Sequence, residues 1–429
     1  MHFTALDWII VVTYLAGSMA AGLYGKKYVS GVSEFLVAGR ELGIFIGRTG
    51  FIVRRLRSLR LMTVPEFFEV RYSRRLRVLT GILVATGGIL NMGVFLKVEG
   101  TFLALISGIP LQYLKATMTG ILLLELVYTV LGGMVSIVIT DFIQFVALSL
   151  GTILVTTWSI HVVGWNKMHD VVWNTMGSSG FSPISNPQYG WAYIAFQILL
   201  WLAVDTCWQT TAMRTFSTRD PETSRRVFSW TGFIYLGRGM MPMLWGIAAL
   251  AYLGPQQNSL EAMPKMLAMI LPTGILGLVV SGMLAATMSV NSSYLLGWSS
   301  IIAQDIVLPL RREPLTPRAQ VLLNRIANIF VSLFVLFWGL WYTLPGPAYF
   351  YLNITATIFL GGTLAAVIGG LFWSRANTLG GYLALILGAA GAVGFFFFHV
   401  PTSYAGLGSF LLAGVGMIAG SLLSKSQRE

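Results

Sequence analysis

Small and hydroxyl-bearing side chains are concentrated in one apolar stretch of this 429-residue chain. Its centre reads LAATMSVNSSYLLGWSS, residues 284–300, where a membrane helix would ordinarily present large lipid-facing residues. Hydroxyl oxygens are ligands that hard cations such as Na⁺ prefer, so this stretch is a candidate cation site. The alternative is that the hydroxyls donate to carbonyls of their own helix and serve packing only.

Asp141, in the segment TDFIQ at 140–144, is a second candidate. A charged side chain costs about several kcal/mol at the centre of a bilayer, so an ionisable residue inside a span is a functional candidate by default. Because Thr followed by Asp also suits the start of a helix, an interfacial helix cap is the alternative for this residue.

Other ionisable residues also lie at membrane depth. Lys97 and Glu99 are two residues apart, roughly 200° around a helix, so they cannot pair with each other. Glu125 and Arg238 are isolated in their spans, and a structural interhelix pair is the alternative to a functional role for each.

Amide and aromatic groups recur between residues 197 and 209. Asp205 and Gln209 are one helical turn apart, which predicts a shared helix face beside Trp201 and Trp208. Such a face suits sugars, amino acids or carboxylates alike. Gln197, Trp201, Asp205 and Gln209 are therefore the solute-binding candidates, and an aromatic belt at the membrane interface is the alternative.

The elements that position these residues are membrane spans, because 55% of the chain is hydrophobic and only 10% is charged. A water-soluble core could not enclose that much apolar surface. We therefore predict an all-α fold in a single transmembrane domain, residues 1–429, with eleven spanning helices. The predicted spans lie near 5–24, 78–106, 116–134, 137–160, 190–212, 229–253, 273–302, 319–344, 348–373, 378–398 and 405–424.

The Lys and Arg residues cluster in alternate loops, which predicts an N-terminus outside the cell membrane and a C-terminus in the cytoplasm. The same clustering accounts for the net charge of +12, so no nucleic-acid partner is predicted. The first apolar run is long enough to span and lacks a basic leader, so we expect a retained helix and not a cleaved signal.

Cysteine and histidine usage gives no support for a metal site or a cofactor. Cys207 is the only cysteine, which excludes an intramolecular disulfide and a cysteine metal cluster. The four histidines are scattered without the paired spacing of a zinc helix.

Five motifs occur in a fixed order over most of the chain: SEFLVAGR at 33–40, TVPEFFEVRYS at 63–73, GGMVSIVITDFIQ at 132–144, WQTTAMRTFS at 208–217, and LAATMSVNSSYLLGWSSIIAQDI at 284–306. Each is weak alone, but five in the right order are strong together. In this respect the sequence resembles the sodium:solute symporter family, which includes sodium–glucose, proline and pantothenate carriers.

The resemblance implies a core of two five-helix inverted repeats, with solute and Na⁺ bound near the membrane midplane beside unwound helices. It implies that the coupling Na⁺ contacts the carbonyl of Ala286 and the hydroxyl of Ser289, and that Asp141 lies near the cytoplasmic exit of the cation. The next family ligand, usually Ser or Thr, is Val290 here, and a valine side chain offers no oxygen.

A larger departure from the family lies between Gly47 and Arg48. Family members continue there into a broken helix with further sodium ligands and then a second span, so this chain is expected to lack about two N-terminal core helices. The stretch LGIFIGRTGFIV at 42–53 is too short and too charged to span, and is expected at the cytoplasmic surface.

The predicted function is sodium-coupled symport of a small organic solute, with Na⁺ as the coupling ion, no other cofactor, and the solute, Na⁺ and lipid bilayer as partners. A proton-coupled carrier that titrates Asp141, Glu99 or Asp205 is one alternative. A non-transporting binding or scaffold protein derived from such a carrier is another, favoured by Val290 and the shortened region. An enzyme is not expected, because no nucleophile–base pair or metal cluster is found.

Overall fold

The computed structural model describes residues 3–25, 50–186, 189–255, 258–344 and 346–424, and the regular elements in these ranges are all helices. Ten stretches of the described chain are long and apolar enough to cross a membrane. The chain is therefore an all-α, multi-pass membrane protein, as predicted. The helices are α1 Ala5–Gly25, α2 Gly50–Ser58, α3 Val64–Arg71, α4 Arg74–Ser107, α5 Leu114–Val163, α6 Trp165–Met176, α7 Gly190–Cys207, α8 Gln209–Ser217, α9 Pro221–Leu253, α10 Ala262–Ile270, α11 Ile275–Ile301, α12 Pro317–Trp341, α13 Ala348–Phe372, α14 Thr378–Gly388, α15 Ala390–Phe398 and α16 Thr402–Leu423.

The predicted span 229–253 and the predicted deletion after Gly47 both stay predictions. The predicted span 229–253 falls on α9, whose apolar part is Gly239–Leu253, and its crossing of the membrane stays a prediction. The predicted deletion after Gly47 and most of the predicted surface stretch 42–53 lie outside the described residues. The described chain resumes at α2, a short amphipathic helix.

Helix α5 contains a sharp turn at Gly133, where φ is 52° and ψ is −147°. A positive φ brings a β-carbon too close to the backbone, so glycine is the residue suited to this turn. The turn separates two spans, 111–131 and 133–163, close to the predicted 116–134 and 137–160.

The predicted helix 190–212 is broken at Trp208, which has an extended backbone with φ −70° and ψ 122°. The Trp208 ring packs against Tyr294, Trp298 and Phe359, with ring centroids 5.6, 5.3 and 5.4 Å away. A break at membrane depth is tolerated only where protein surrounds it, and this aromatic cluster supplies that surrounding.

Helix α11 is the central element and packs closely on α1 and α5. Asp7, fully buried in the first turn of α1, accepts hydrogen bonds from the backbone N–H groups of Gly274 and Gly277, both at 2.8 Å. A β-carbon on Gly277 would lie 2.7 Å from the Asp7 Cα, and one on Gly282 would lie 2.9 Å from the Ala147 carbonyl oxygen. The three helices therefore approach backbone to backbone, as small residues permit in lipid.

Candidate functional site

The structure brings together two of the three predicted cation ligands. Asp141 lies on the second span of α5 and Ser289 on α11, and the Ser289 hydroxyl donates a short hydrogen bond to Asp141 Oδ1. The Asp141 side chain is only 13% exposed. Ala286, the third predicted ligand, lies three residues before Ser289 and on the same face of α11.

Arg214, on α8, is a further candidate residue at this site, and it was not among the residues predicted from the sequence. Its Nη2 donates to Asp141 Oδ2 and to Ser293 Oγ, both at 2.8 Å, and its side chain is 19% exposed. Ser293 in turn donates to the backbone carbonyl of Ser289 at 2.8 Å. The Asp141 carboxylate is thus shared between a hydroxyl on one oxygen and a guanidinium on the other.

The break before α8 directs Arg214 toward this carboxylate. Gln209, the first residue of α8, accepts from the backbone N–H of Val64 at 2.9 Å and donates to Ser300 Oγ at 3.4 Å. Both polar ends of the Gln209 side chain therefore fix α8 against α3 and α11. The signal for Arg214 in the sequence was its place in the motif WQTTAMRTFS at 208–217.

A second polar network joins α3, α4 and the end of α11. Thr63 is the N-cap of α3, because Glu66 N donates to Thr63 Oγ1 at 3.3 Å, and Glu66 Oε2 accepts from the preceding Met62 N at 2.7 Å. Thr63 also donates to the buried Asp305 at 2.8 Å, and Arg77 donates to the same carboxylate at 2.7 Å. This network holds the motif at 63–73 beside the end of the cation-site helix.

Three of the solute-binding candidates, Gln197, Trp201 and Asp205, recur every four residues on α7 and share one face, whereas Gln209 lies on α8. The Tyr349 hydroxyl donates to Gln197 Oε1 at 3.3 Å, and the buried Gln197 Nε2 has no hydrogen-bond partner. Trp201 is 41% exposed on α7. Asp205 and Gln209 lie on different helices because of the break at Trp208, so the predicted shared face is wrong.

Two buried carboxylates that the sequence treated separately lie together. Asn291 Nδ2 on α11 donates to both oxygens of Glu99 at 2.8 Å and to Glu125 Oε1 at 3.2 Å. Lys97 donates instead to the backbone carbonyl of Tyr342 at 3.2 Å, which agrees with the prediction that Lys97 and Glu99 do not pair. The Arg238 side chain, the alternative partner considered for Glu125, is outside the described part of the chain.

An all-helical membrane fold with a broken helix and polar groups facing each other at its centre is an architecture of secondary transporters. The sequence model of the sodium:solute symporter family matches residues 4–388. The chain belongs to that family, which confirms the resemblance found in its motifs.

Several curated relatives share most of the chain. It is 25% identical to a sodium/glucose cotransporter of Vibrio parahaemolyticus, over 86% of this chain and 70% of the relative. It is 24% identical to a sodium/pantothenate symporter of Haemophilus influenzae, over 93% and 85%. It is 26% identical to a high-affinity proline transporter of Bacillus subtilis, over 96% and 86%.

Among solved structures, the fold is similar to that of a Na⁺-coupled sialic acid symporter in a substrate-bound, outward-open state. The TM-score is 0.82, with 18% sequence identity and 98% of each chain covered. At this identity the likeness supports the fold alone.

Proposed function

We propose that this protein is a sodium-coupled symporter of a small organic solute and that its coupling cation binds between Asp141 and Ser289. The observation that carries the proposal is the meeting of a carboxylate and a hydroxyl, from two different helices, in the membrane domain of a sodium:solute symporter. Oxygen ligands from both groups suit Na⁺.

The proposed ligands are Asp141, the hydroxyl of Ser289 and the carbonyl of Ala286. Val290 removes one hydroxyl from the set that the family uses. Ser293 lies one turn after Ser289, and its hydroxyl is already within 2.8 Å of the Arg214 guanidinium that bridges it to Asp141. We assign Ser293 as the replacement oxygen for the one that Val290 lacks.

Arg214 occupies the position of a competing cation. In this state its guanidinium neutralises Asp141, which would otherwise be a nearly buried and unpaired carboxylate. Sodium binding to Asp141 then requires Arg214 to move away or to share the carboxylate. The guanidinium is therefore proposed to hold the site closed when Na⁺ is absent.

The solute is proposed to contact the outer end of α7. Gln197 offers an unpartnered amide N–H there, and the hydroxyls of Tyr193 and Tyr349 lie 3.4 Å apart beside it. Trp201 and Asp205 follow on the same helix. Gln209 is the weakest of the four candidates, since both of its polar atoms are engaged in holding α8.

The repeat architecture, the orientation in the membrane and the absence of enzymatic chemistry are proposed from the family resemblance and the charge distribution. The core is proposed to follow the five-plus-five inverted repeat with about two N-terminal helices missing. The N-terminus is proposed to face outward and the C-terminus the cytoplasm, by the distribution of Lys and Arg. The protein is proposed to act without enzymatic chemistry and with Na⁺ as its only cofactor.

The test is uptake of a labelled panel of sugars, amino acids and carboxylates into proteoliposomes, with and without an inward Na⁺ gradient, after intact mass has verified the chain. Ser289→Ala should raise the Na⁺ concentration needed for half-maximal uptake. Ser281→Ala is the matched control, because Ser281 is buried on the same helix and donates to the Gly277 carbonyl at 2.9 Å. Equal sodium dependence in the two variants would remove Ser289 from the site.

A non-transporting binding protein is the second candidate function. Val290 favours it, and so does the shortened region that the sequence predicts after Gly47. Uptake absent from a folded protein, and not restored by Val290→Thr, would favour this candidate. Uptake that acid stimulates and Na⁺ does not would instead identify a proton-coupled carrier.

A further inference from the structure

A buried polar cluster lies on the face of α11 that points away from Asp141. It consists of Glu99 on α4, Glu125 on the first span of α5 and Asn291 on α11, with exposed fractions of 3%, 0% and 1%. Asn291 is two residues from both Ser289 and Ser293, which places it roughly 200° around the helix from them. The cluster is therefore separate from the proposed sodium site.

The cluster has fewer hydrogen-bond donors than acceptors. Asn291 Nδ2 has two hydrogens, yet it lies within 3.2 Å of three carboxylate oxygens. Two acceptors in the cluster, Glu125 Oε2 and Asn291 Oδ1, are buried and have no partner. Buried polar atoms of this kind are costly unless something pairs with them.

Within the described ranges, no Lys, Arg or His forms an ion pair with either carboxylate. Lys97 and Arg325 donate to backbone carbonyls, Asp141 is paired with Arg214, and Lys265 is paired with Glu261. Titratable groups on helices that pack around the cluster include Asp7 and Tyr14 on α1, Lys97 on α4, Lys115, Asp141 and His161 on α5, Lys265 on α10, Tyr294 on α11, and Arg318 and Arg325 on α12.

We propose that this cluster is a proton-binding site and that the proton resides on Glu125 Oε2. Two adjacent carboxylates without a cation cannot both stay ionised in a dry interior, so one of them must bind a proton. Glu99 accepts hydrogen bonds from the Asn291 amide through both of its carboxylate oxygens, and it is the ionised member of the pair. Glu125 leaves one oxygen unpaired, and protonation turns that oxygen into a donor.

The chemistry requires only a proton from water. An O–H bond forms on Glu125 when the site is loaded, and the same proton returns to solvent when the site empties. No oxidant, metal or second substrate takes part. The site differs from the sodium site in its residues, in its helix face and in its ligand, so each can be tested without the other.

Infrared difference spectroscopy of the full-length protein in lipid vesicles near neutral pH tests this assignment, with neither Na⁺ nor solute present. The wild-type protein should show the carbonyl stretch of a protonated carboxylic acid, exchanging slowly with heavy water. That band should be lost in Glu125→Gln and kept in Asp141→Asn and in Glu222→Gln, a control at a carboxylate that pairs with Arg225 and Arg226.

Two outcomes would contradict the assignment of the proton to Glu125. If the wild-type minus Glu125→Gln spectrum contains ionised carboxylate bands and no acid band, Glu125 is charged and the proposal is wrong. Glu125→Asp provides a second route if Glu125→Gln does not fold, since an aspartic acid should shift the acid band and not abolish it. An acid band that is unmoved in Glu125→Asp would also overturn the assignment.

Discussion

Replacing Arg214 with glutamine is expected to strengthen sodium binding. In the structure the Arg214 guanidinium lies 2.8 Å from Asp141 Oδ2, and the two side chains are only 19% and 13% exposed. Any Na⁺ that binds Asp141 must compete with this tethered cation or tolerate its repulsion. Glutamine keeps a hydrogen-bond donor of similar reach but removes the charge.

The size of the effect follows from the separation of the charges. Two unit charges about 4 Å apart interact by ~4 kcal/mol at an effective dielectric constant of about 20. Desolvation and side-chain ordering offset most of this interaction energy. A net effect of about one third of it, roughly 1.4 kcal/mol, corresponds to about a tenfold change in sodium affinity. We therefore expect the sodium concentration for half-maximal stabilisation to fall about tenfold in Arg214→Gln.

The assay is the rise in thermal unfolding temperature of the purified protein as NaCl replaces choline chloride at constant ionic strength. This readout needs no solute and no transport. Asp141→Asn is the control that should abolish the sodium-specific rise. A sodium dependence that is unchanged or weaker in Arg214→Gln, in a protein that still folds, would refute the reasoning that Arg214 and Na⁺ compete.

Two further predictions concern stability. Asp7→Ala should leave the buried N–H of Gly277, at about 1–3 kcal/mol, and the partly buried N–H of Gly274 without their partner, so its unfolding midpoint in detergent should fall well below that of the exposed control Asp170→Ala; equal midpoints would contradict this. The Thr223 backbone N–H and hydroxyl lower the pKa of Asp220, the N-cap of α9, from 3.8 to about 2. The stability that the ionised cap adds is therefore present above pH 3.8 and lost as pH falls toward 2. The stability difference between the wild type and Asp220→Asn should shrink over that interval, and a constant difference would argue against the ionised cap.

Much of the fold follows from local sequence. Spans such as α12 and α13 lie within a few residues of the predicted 319–344 and 348–373, because a bilayer imposes one length and one polarity on every crossing. The break at Trp208 was not predictable in this way. No proline or glycine marks it in DTCWQTTAMR at 205–214, and the extended residue packs against aromatic rings distant in sequence.

The candidate site was predicted only in part, for a related reason. Asp141 and Ser289 were predicted from motifs. Their contact joins residues 148 positions apart in sequence, so it is a property of the tertiary fold. Arg214 was grouped with the basic residues of the loops, because charge alone does not indicate where a side chain lies in the fold. Glu99 and Glu125 each looked isolated because Asn291, which joins them, lies on a third helix.

The close packing of α1, α5 and α11 bears on how the cation site can open. Asp141 lies on α5 and Ser289 on α11. Close backbone contacts at Gly277 and Gly282 hold α11 against α1 and α5. The cation pocket is therefore expected to travel as one rigid body during transport. The hinge is therefore expected outside these three helices, and the extended backbone at Trp208, just before the helix that carries Arg214, is a candidate.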